Sequence, residues 1–362
     1  MQYLAILGRQ PEISLAELLA QFENVRKISD VVATFESEKA PDLSRFGGSL
    51  KFGQKLDVSA VEFLANFPEG KITLGVSDYS KKASSRSAQA EALRLKRILK
   101  RQGRSVRVLP NTNGPAISTA AAHHEGLGTK SRRAEIMLVG RDQYFSLGAQ
   151  NITAYARRDR ARPARDAKVG MLPPKLAQIL INLCGPLKPA ARILDPFCGT
   201  GVVLQEALLM GYRAYGTDLS DRMIEYSRRN LRWLEESNFY LAIGDATDFI
   251  WQQPIDAVVF EGYLGPPMSN PPAEIKLKEV KQELKSLYHN VFKNLSSQLE
   301  SGTPVVMAIP AWLRPDGSYS RLNLLDEIEK LGYNVKKDSG SGLLYARAGQ
   351  VVAREILILR KK

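Results

Sequence analysis

Short apolar runs alternate with amphipathic stretches along the whole 362-residue chain, the pattern of strands alternating with helices. Tyr3 to Leu7 reads as a strand. Ser14 to Gln21 follows as a helix, with Ser14 placed to cap it and Glu17 three residues on, the spacing of a capping box. Val31 to Phe35 predicts a second strand. Further on come strand Lys71 to Val76, helix Ser87 to Arg101, strand Val106 to Leu109, helix Ile117 to Leu127, and strands Glu135 to Val139 and Tyr144 to Leu147. On the longest of these helices Ala88, Ala92, Leu95 and Leu99 form an apolar stripe in steps of four, three and four.

From Lys168 the alternation lengthens. Pro173 and Pro174 open a helix to about Leu183, proline being favoured in a first helical turn. Strands then start near Arg192, Ala214, Tyr240, Ala257 and Pro304. Helices are expected over Val202 to Met210, Asp221 to Glu236, a long stretch ending at Leu299, and Asn323 to Leu331, with closing strands at Asn334 to Lys337 and Glu355 to Leu359. Repeated βα units imply a parallel, doubly wound sheet whose ligand lies at the strand C-termini. The expected organisation is a small α/β unit over 1–62, a second module over 63–156, a linker over 157–169 and a large α/β domain over 170–362.

Composition narrows the class. The chain is 44% hydrophobic and 25% charged, ordinary globular usage. Its longest apolar runs fall far short of the roughly 18 residues that span a bilayer, so no membrane partner is expected. Glu12 and Glu17 arrive early and no basic, apolar leader precedes them, so neither a signal nor a transit peptide is read. Cys184 and Cys198 cannot build a disulfide framework, which suits a reducing cytoplasm. No Cys/His cluster has metal-ligand spacing, and His123 and His124 lack a third ligand, so no metal is expected.

Charge is unevenly spread. Residues 1–62 carry 7 basic and 9 acidic side chains, 63–168 carry 21 and 8, and 169–362 carry 23 and 21. The net excess of +13 therefore lies in the middle segment, which points to a polyanion-binding module with nucleic acid as the natural partner. A face solvated for solubility is the plainer reading, but the excess persists over far more than one charge run. Arg94, Arg97 and Arg101 follow one side of the apolar stripe. Arg132, Arg133, Arg157, Arg158 and Arg160 extend the basic set toward the large domain.

The sharpest chemical signal is Asp195-Pro-Phe-Cys-Gly-Thr-Gly201, between a buried strand and a helix. Its glycines permit a tight turn and close approach of a ligand, and the following helix presents free N–H groups. A nicotinamide site would place a third glycine where Leu204 stands. The next strands end in Thr217-Asp218 and Gly244-Asp245-Ala246. Asp218 suits two ribose hydroxyls and Asp245 an adenine amino group. Each acid alone reads as a cap or turn residue. Three at successive strand ends describe a pocket for an adenosyl ligand that carries an ammonium.

These segments resemble the S-adenosylmethionine motifs of Rossmann-fold methyltransferases. Arg162-Pro163, Arg165-Asp166 and Gly170-Met-Leu-Pro-Pro-Lys-Leu-Ala177 are similar, more specifically, to the tRNA guanosine N2-methyltransferases that carry a THUMP domain and act on position 10. Tyr3-Leu-Ala-Ile-Leu-Gly-Arg9 and Ser14-Leu-Ala-Glu17 resemble that family's N-terminal ferredoxin-like domain. The resemblance implies a ferredoxin-like unit and a THUMP domain followed by a Rossmann-fold methyltransferase with a mostly parallel seven-stranded sheet. It implies S-adenosylmethionine as cofactor, held by Met171, Leu172, Asp195, Phe197, Gly199, Gly201, Asp218, Leu219, Asp245 and Ala246. It also implies tRNA as partner, gripped at its acceptor end, and leaves open an accessory protein subunit.

In one place the chain departs from that family, which places Asp or Asn, two prolines and an aromatic after the fourth strand. Here the stretch reads Glu261-Gly262-Tyr263-Leu264-Gly265-Pro266-Pro267. An exocyclic base amine is a poor nucleophile because its lone pair is delocalised. Glu261 and the Gly262 carbonyl are placed to accept its two hydrogens, and Tyr263 to stack on an extruded base. The competing reading makes Glu261 a structural acid at a site that binds cofactor only. A DNA or adenine-N6 methyltransferase and a non-catalytic tRNA-binding protein are the alternative functions. Cys198 reads as a small packing residue.

Overall fold

The computed structural model describes residues 1–166, 172–336 and 343–362. The chain divides into two compact units, Met1–Ala156 and Arg157–Lys362. The first contains β1 (Gln2–Leu7), α1 (Pro11–Gln21), β2 (Glu23–Ser29), β3 (Val32–Glu36), β4 (Ser49–Lys55), α2 (Ala60–Ala65), β5 (Ile72–Asp78), α3 (Ser85–Arg101), β6 (Val106–Val108), α4 (Thr119–Glu125), β7 (Arg133–Val139) and β8 (Asp142–Ala149). α5 (Ile152–Arg160) contains the boundary.

One sheet of order β2-β3-β1-β4-β8-β7-β5-β6 runs through this unit. Strands from residues 1–62 fill one half and strands from 63–156 the other, meeting at the antiparallel β4–β8 pair, while the division at 62/63 falls inside α2. Ala88, Ala92, Leu95 and Leu99 of α3 are fully buried, as their spacing requires, and Arg94, Arg97 and Arg101 are exposed.

The helix start is different in α1. Pro11 occupies the first turn, so the helix begins three residues before Ser14, whose hydroxyl donates to the Gln10 carbonyl from within it. Glu17 is fully buried and accepts from the Gly47 and Gly48 amides at 3.0 and 2.8 Å. A tertiary role thus displaces the expected capping box. One does form at α3, between Ser84 and Ser87.

The second unit contains α6 (Pro174–Leu183), β9 (Arg192–Asp195), α7 (Val202–Leu209), β10 (Arg213–Asp218), α8 (Asp221–Trp233), β11 (Phe239–Ile243), β12 (Ala257–Glu261), α9 (Glu274–Ser296), β13 (Pro304–Leu313), β14 (Tyr319–Ser320), α10 (Leu325–Lys330), β15 (Tyr333–Val335), β16 (Leu344–Tyr345) and β17 (Val352–Lys361). Seven strands lie in the order β11-β10-β9-β12-β13-β17-β15, and of these only β17 runs against the rest. This is the mostly parallel, Rossmann-like methyltransferase fold that the sequence implies. The order reverses at β9, the switch point beyond whose strand C-termini a ligand is expected in such sheets. α9 buries Leu277, Val280, Leu284, Tyr288, Val291, Phe292 and Leu295 on one face, at about 1.5–3 kcal/mol for each large apolar side chain removed from water.

Candidate active site

Parallel pairing brings four strand ends to one edge of the sheet. Tyr215 pairs with Leu194 and Gly216 with Asp195, while Asp218 faces Ile243. Asp195, Asp218 and Glu261 thus close three adjacent strands, and Asp245 follows the fourth.

Each aspartate is first a turn residue. The Phe197 amide donates to Asp195 Oδ1 at 3.0 Å, the Ser220 amide to Asp218 Oδ1 at 2.9 Å and the Thr247 amide to Asp245 Oδ1 at 2.9 Å. These bonds two residues on fix the carboxylates without using all their lone pairs. The cap reading and the ligand reading therefore describe the same three side chains.

Asp218 Oδ2 also accepts from the Gly199 amide at 2.9 Å, tying the glycine loop to β10. Gly199 and Gly201 adopt φ of +50° and +81°, where an L side chain is strained, and Gly201 is pressed against Ser227, whose hydroxyl donates to the Gly199 carbonyl at 2.8 Å. A Cβ on Gly199 would lie 3.9 Å from the Phe197 carbonyl oxygen, at ordinary contact distance, so its positive φ rather than crowding is what calls for glycine there. Cys198 is buried inside the loop and burial pushes its thiol well up, so it packs rather than attacks.

Asp195 is 2% exposed, and burial drives its carboxyl well above the usual range, with Asp218 and Glu261 adding to the rise. Among the described residues Asp195 forms no ion pair, and its burial beside Asp218 and Glu261 favours the neutral acid unless a positive charge comes close. Phe197 stacks on Phe260, Ala246 is buried, and Leu219 is 72% exposed. Leu172 is buried before α6, and Met171 lies outside the described residues.

The turn after β12 has partners that no local pattern announced. Arg354 of β17 donates from Nε to Glu261 Oε1 at 2.6 Å. Burial nevertheless raises the Glu261 carboxyl above its ordinary value, against the pull of Arg354. The fully buried Tyr288 donates its hydroxyl to the Tyr263 carbonyl at 2.8 Å, and a Cβ on Gly262 would overlap that hydroxyl. Tyr288 and Gly262 together brace this turn. Tyr263 is 53% exposed.

Pro310 acts at the same place by what it lacks. The Gly262 amide donates to the Ala308 carbonyl at 3.0 Å, and a parallel ladder would return a bond from residue 310 to the Gly262 carbonyl. Proline has no N–H to give, so the ladder leaves that carbonyl unclaimed.

The candidate RNA-facing arginines separate by their surroundings. Arg97, Arg101 and Arg160 are exposed, and Arg157 lies 4.9 Å over the Trp233 ring. Arg94 pairs with Glu91, Arg133 pairs with Glu125, and Arg132 donates to the Glu69 carbonyl. Arg158 is largely enclosed and holds the buried Glu206 with two bonds of 2.6 and 3.1 Å.

Residues 162–316 match the family model described as RMKL-like, methyltransferase domain. A protein of Methanothermococcus thermolithotrophicus named probable tRNA (guanine(10)-N2)-dimethyltransferase is 30% identical over 139 residues, 37% of this chain and 78% of that protein. The chain belongs to the tRNA guanine-N2 methyltransferase family. Two further members carry the name tRNA (guanine(10)-N2)-dimethyltransferase. That of Methanothermobacter thermautotrophicus is 37% identical over 144 residues, and that of Pyrococcus abyssi 27% identical over 191 residues. The matches cover 40% and 53% of this chain, and 40% and 50% of those two family members, so the chain spans half or less of their length. No helix among the described residues is long and apolar enough to cross a membrane.

Proposed function

We propose that the protein transfers a methyl group from S-adenosylmethionine to the exocyclic N2 of a guanosine in tRNA, at position 10. Its basic first unit would dock the acceptor end as a THUMP-like module. The observation that carries this reading is the convergence of Asp195, Asp218 and Glu261 at adjacent strand ends, beside a glycine loop tied to Asp218 through the Gly199 amide. The names of the family members agree with it.

The residues present fit the cofactor. Asp218 keeps lone pairs for ribose hydroxyls beyond its two backbone bonds. The buried Asp195, close to Asp218 and Glu261, is an acceptor for an ammonium, and the exposed Asp245 is an acceptor for an adenine amine. When bound, S-adenosylmethionine supplies an electrophilic methyl on a sulfonium.

The chain's own groups prepare the amine. Arg354 occupies Glu261 Oε1, leaving Oε2 to accept one hydrogen of N2 while the Gly262 carbonyl accepts the other. Drawing both hydrogens this way turns the nitrogen lone pair out of conjugation with the ring. Glu261 is also the carboxylate placed to take the proton that the amine sheds, and its burial-raised affinity for protons suits that role. Tyr263 offers a face for the extruded base.

The test is to incubate the protein with S-adenosylmethionine and unmodified tRNA transcript, digest the RNA and analyse the nucleosides by mass spectrometry. N2-methylated guanosine that vanishes with Glu261→Gln is expected. A different methylated nucleoside, or no product from protein shown separately to bind the cofactor, overturns the proposal.

A further inference from the structure

Away from the adenosyl pocket, the second unit carries a cleft of about 770 Å³ between the N-terminal half of α9 and the segment from the end of β13 through β14. Lys278, Lys281, Lys285, Arg314 and Arg321 line it, against the two acids Glu274 and Asp316. The lysines are three and four residues apart, so one helix face delivers all of them to the same side.

This excess is neutralised only in part from within, by Glu355 on Arg321 and by Asp316 near Arg314. Among the described residues only Arg321 of the five has an ion-pair partner, Glu355 at 2.6 Å. Asp316 spends Oδ1 on the Ser318 amide and hydroxyl. Lys281 is fixed rather than free: its Nζ donates to the Arg321 carbonyl at 2.6 Å and to Ser320 Oγ at 2.9 Å, and lies 5.7 Å from the centre of the Trp312 ring. Burial lowers its proton affinity, and the nearby Arg314 and Lys285 lower it further. Holding such charges together costs free energy unless an anion enters, and a preorganised ammonium is a ready partner for one.

Place identifies the anion. β12 and β13 are parallel, with Glu261 opposite Ala308, so β13 continues five residues beyond the catalytic strand end to Leu313 at the cleft. At about 3.3 Å per residue the cleft begins roughly 17 Å outward from the level of Glu261, on the same edge of the sheet. Pro272, from the connection that follows the Glu261 turn, lines it too.

We infer that this cleft is a second RNA-binding surface, gripping phosphates of the substrate's backbone beside the nucleotide that enters the active site. The inference rests on the tRNA reading above and adds to it a contact on the catalytic unit itself. The first unit supplies affinity from its own basic face, whereas Lys278, Lys281, Lys285 and Arg314 would hold the strand next to the reacting base.

The experiment compares the full chain with Lys278→Ala/Lys285→Ala/Arg314→Ala. A control, Arg213→Ala/Arg229→Ala/Lys293→Ala, removes the same charge from exposed positions elsewhere on the second unit. Binding of unmodified tRNA transcript is measured over a salt series, with S-adenosylmethionine binding and thermal melting as checks of integrity. The cleft variant is expected to bind tRNA roughly tenfold more weakly, with a slope of log affinity against log salt shallower by about two, since each lost phosphate contact removes about 0.7–0.9. Cofactor affinity and melting are expected to be unchanged, and the control to match wild type. A cleft variant with wild-type affinity and slope, or a control that loses as much, overturns the inference and leaves the cleft to an acidic protein surface. Methylation is scored separately. Weakened binding by the cleft variant in a protein that makes no N2-methylguanosine would sustain the RNA surface while the proposed reaction failed.

Discussion

At the scale of single residues, the candidate site depends on groups that act by absence as well as by presence. Pro310 withholds a hydrogen bond and so keeps the Gly262 carbonyl available. Pro310→Ala is expected to slow methyl transfer by about ten- to a hundredfold in single-turnover reactions, on the scale of losing one preorganised polar contact, while the melting temperature holds or rises. An unchanged rate would remove Gly262 from the mechanism. Glu261 makes a second expectation. Only its carboxylate form accepts amine hydrogens, so activity is complete above its raised pKa and falls as pH drops through it. Arg354 pulls that pKa down, so Arg354→Met is expected to move the acid limb of the pH–rate profile to higher pH. A limb that stays in place would mean that Glu261 does not set it.

Among the elements, α5 shows how one basic run divides its labour. Arg157, Arg158 and Arg160 are close in sequence, yet Arg158 alone clamps the fully buried Glu206 of α7. Burial raises the Glu206 carboxyl to about 7 even with Arg158 pulling down. The folded protein therefore binds that proton more tightly than the unfolded chain, and this contribution to stability declines as pH rises from the ordinary carboxyl value toward 7. Arg158→Ala removes the hydrogen-bonded cation and leaves the acid only the nearby Arg162, and is expected to destabilise the second unit by about 2–3 kcal/mol, with the larger loss at pH 8 than at pH 6. Denaturant unfolding at the two pH values checks this. Arg157→Ala and Arg160→Ala are expected to leave stability nearly unchanged and to weaken tRNA binding. Equal effects from all three would refute the division.

For the whole molecule, the proposed function makes charge the governor of encounter with tRNA. The formal charge of +13 is concentrated in residues 63–168, and the second unit adds its own basic cleft. If six to ten phosphates are contacted, tRNA affinity is expected to fall by about 10³ to 10⁵ between 50 and 200 mM salt. Filter binding or fluorescence titration measures this directly, and a nearly flat salt dependence would show that the basic residues serve solubility instead.

The sequence by itself determined the order of the main strands and helices of the second unit, which are strongly periodic and bounded by Pro173-Pro174, Gly199, Gly201 and the strand-end aspartates, but not the two-residue strands β14 and β16. It also marked the candidate adenosyl-pocket motifs, whose residues are local, each carboxylate being set by a turn two residues long. It gave no sign of the Glu17 clamp on Gly47 and Gly48, nor of the strands β2 and β4, which have weak apolar alternation and are fixed by their neighbours. Tertiary structure alone decided that Arg354, 93 residues from Glu261, holds its carboxylate, that Tyr288 braces the turn, and that Pro310 faces Gly262. Periodicity records which face of an element is buried. Which distant side chain meets that face is settled only when strand order and register bring the two together.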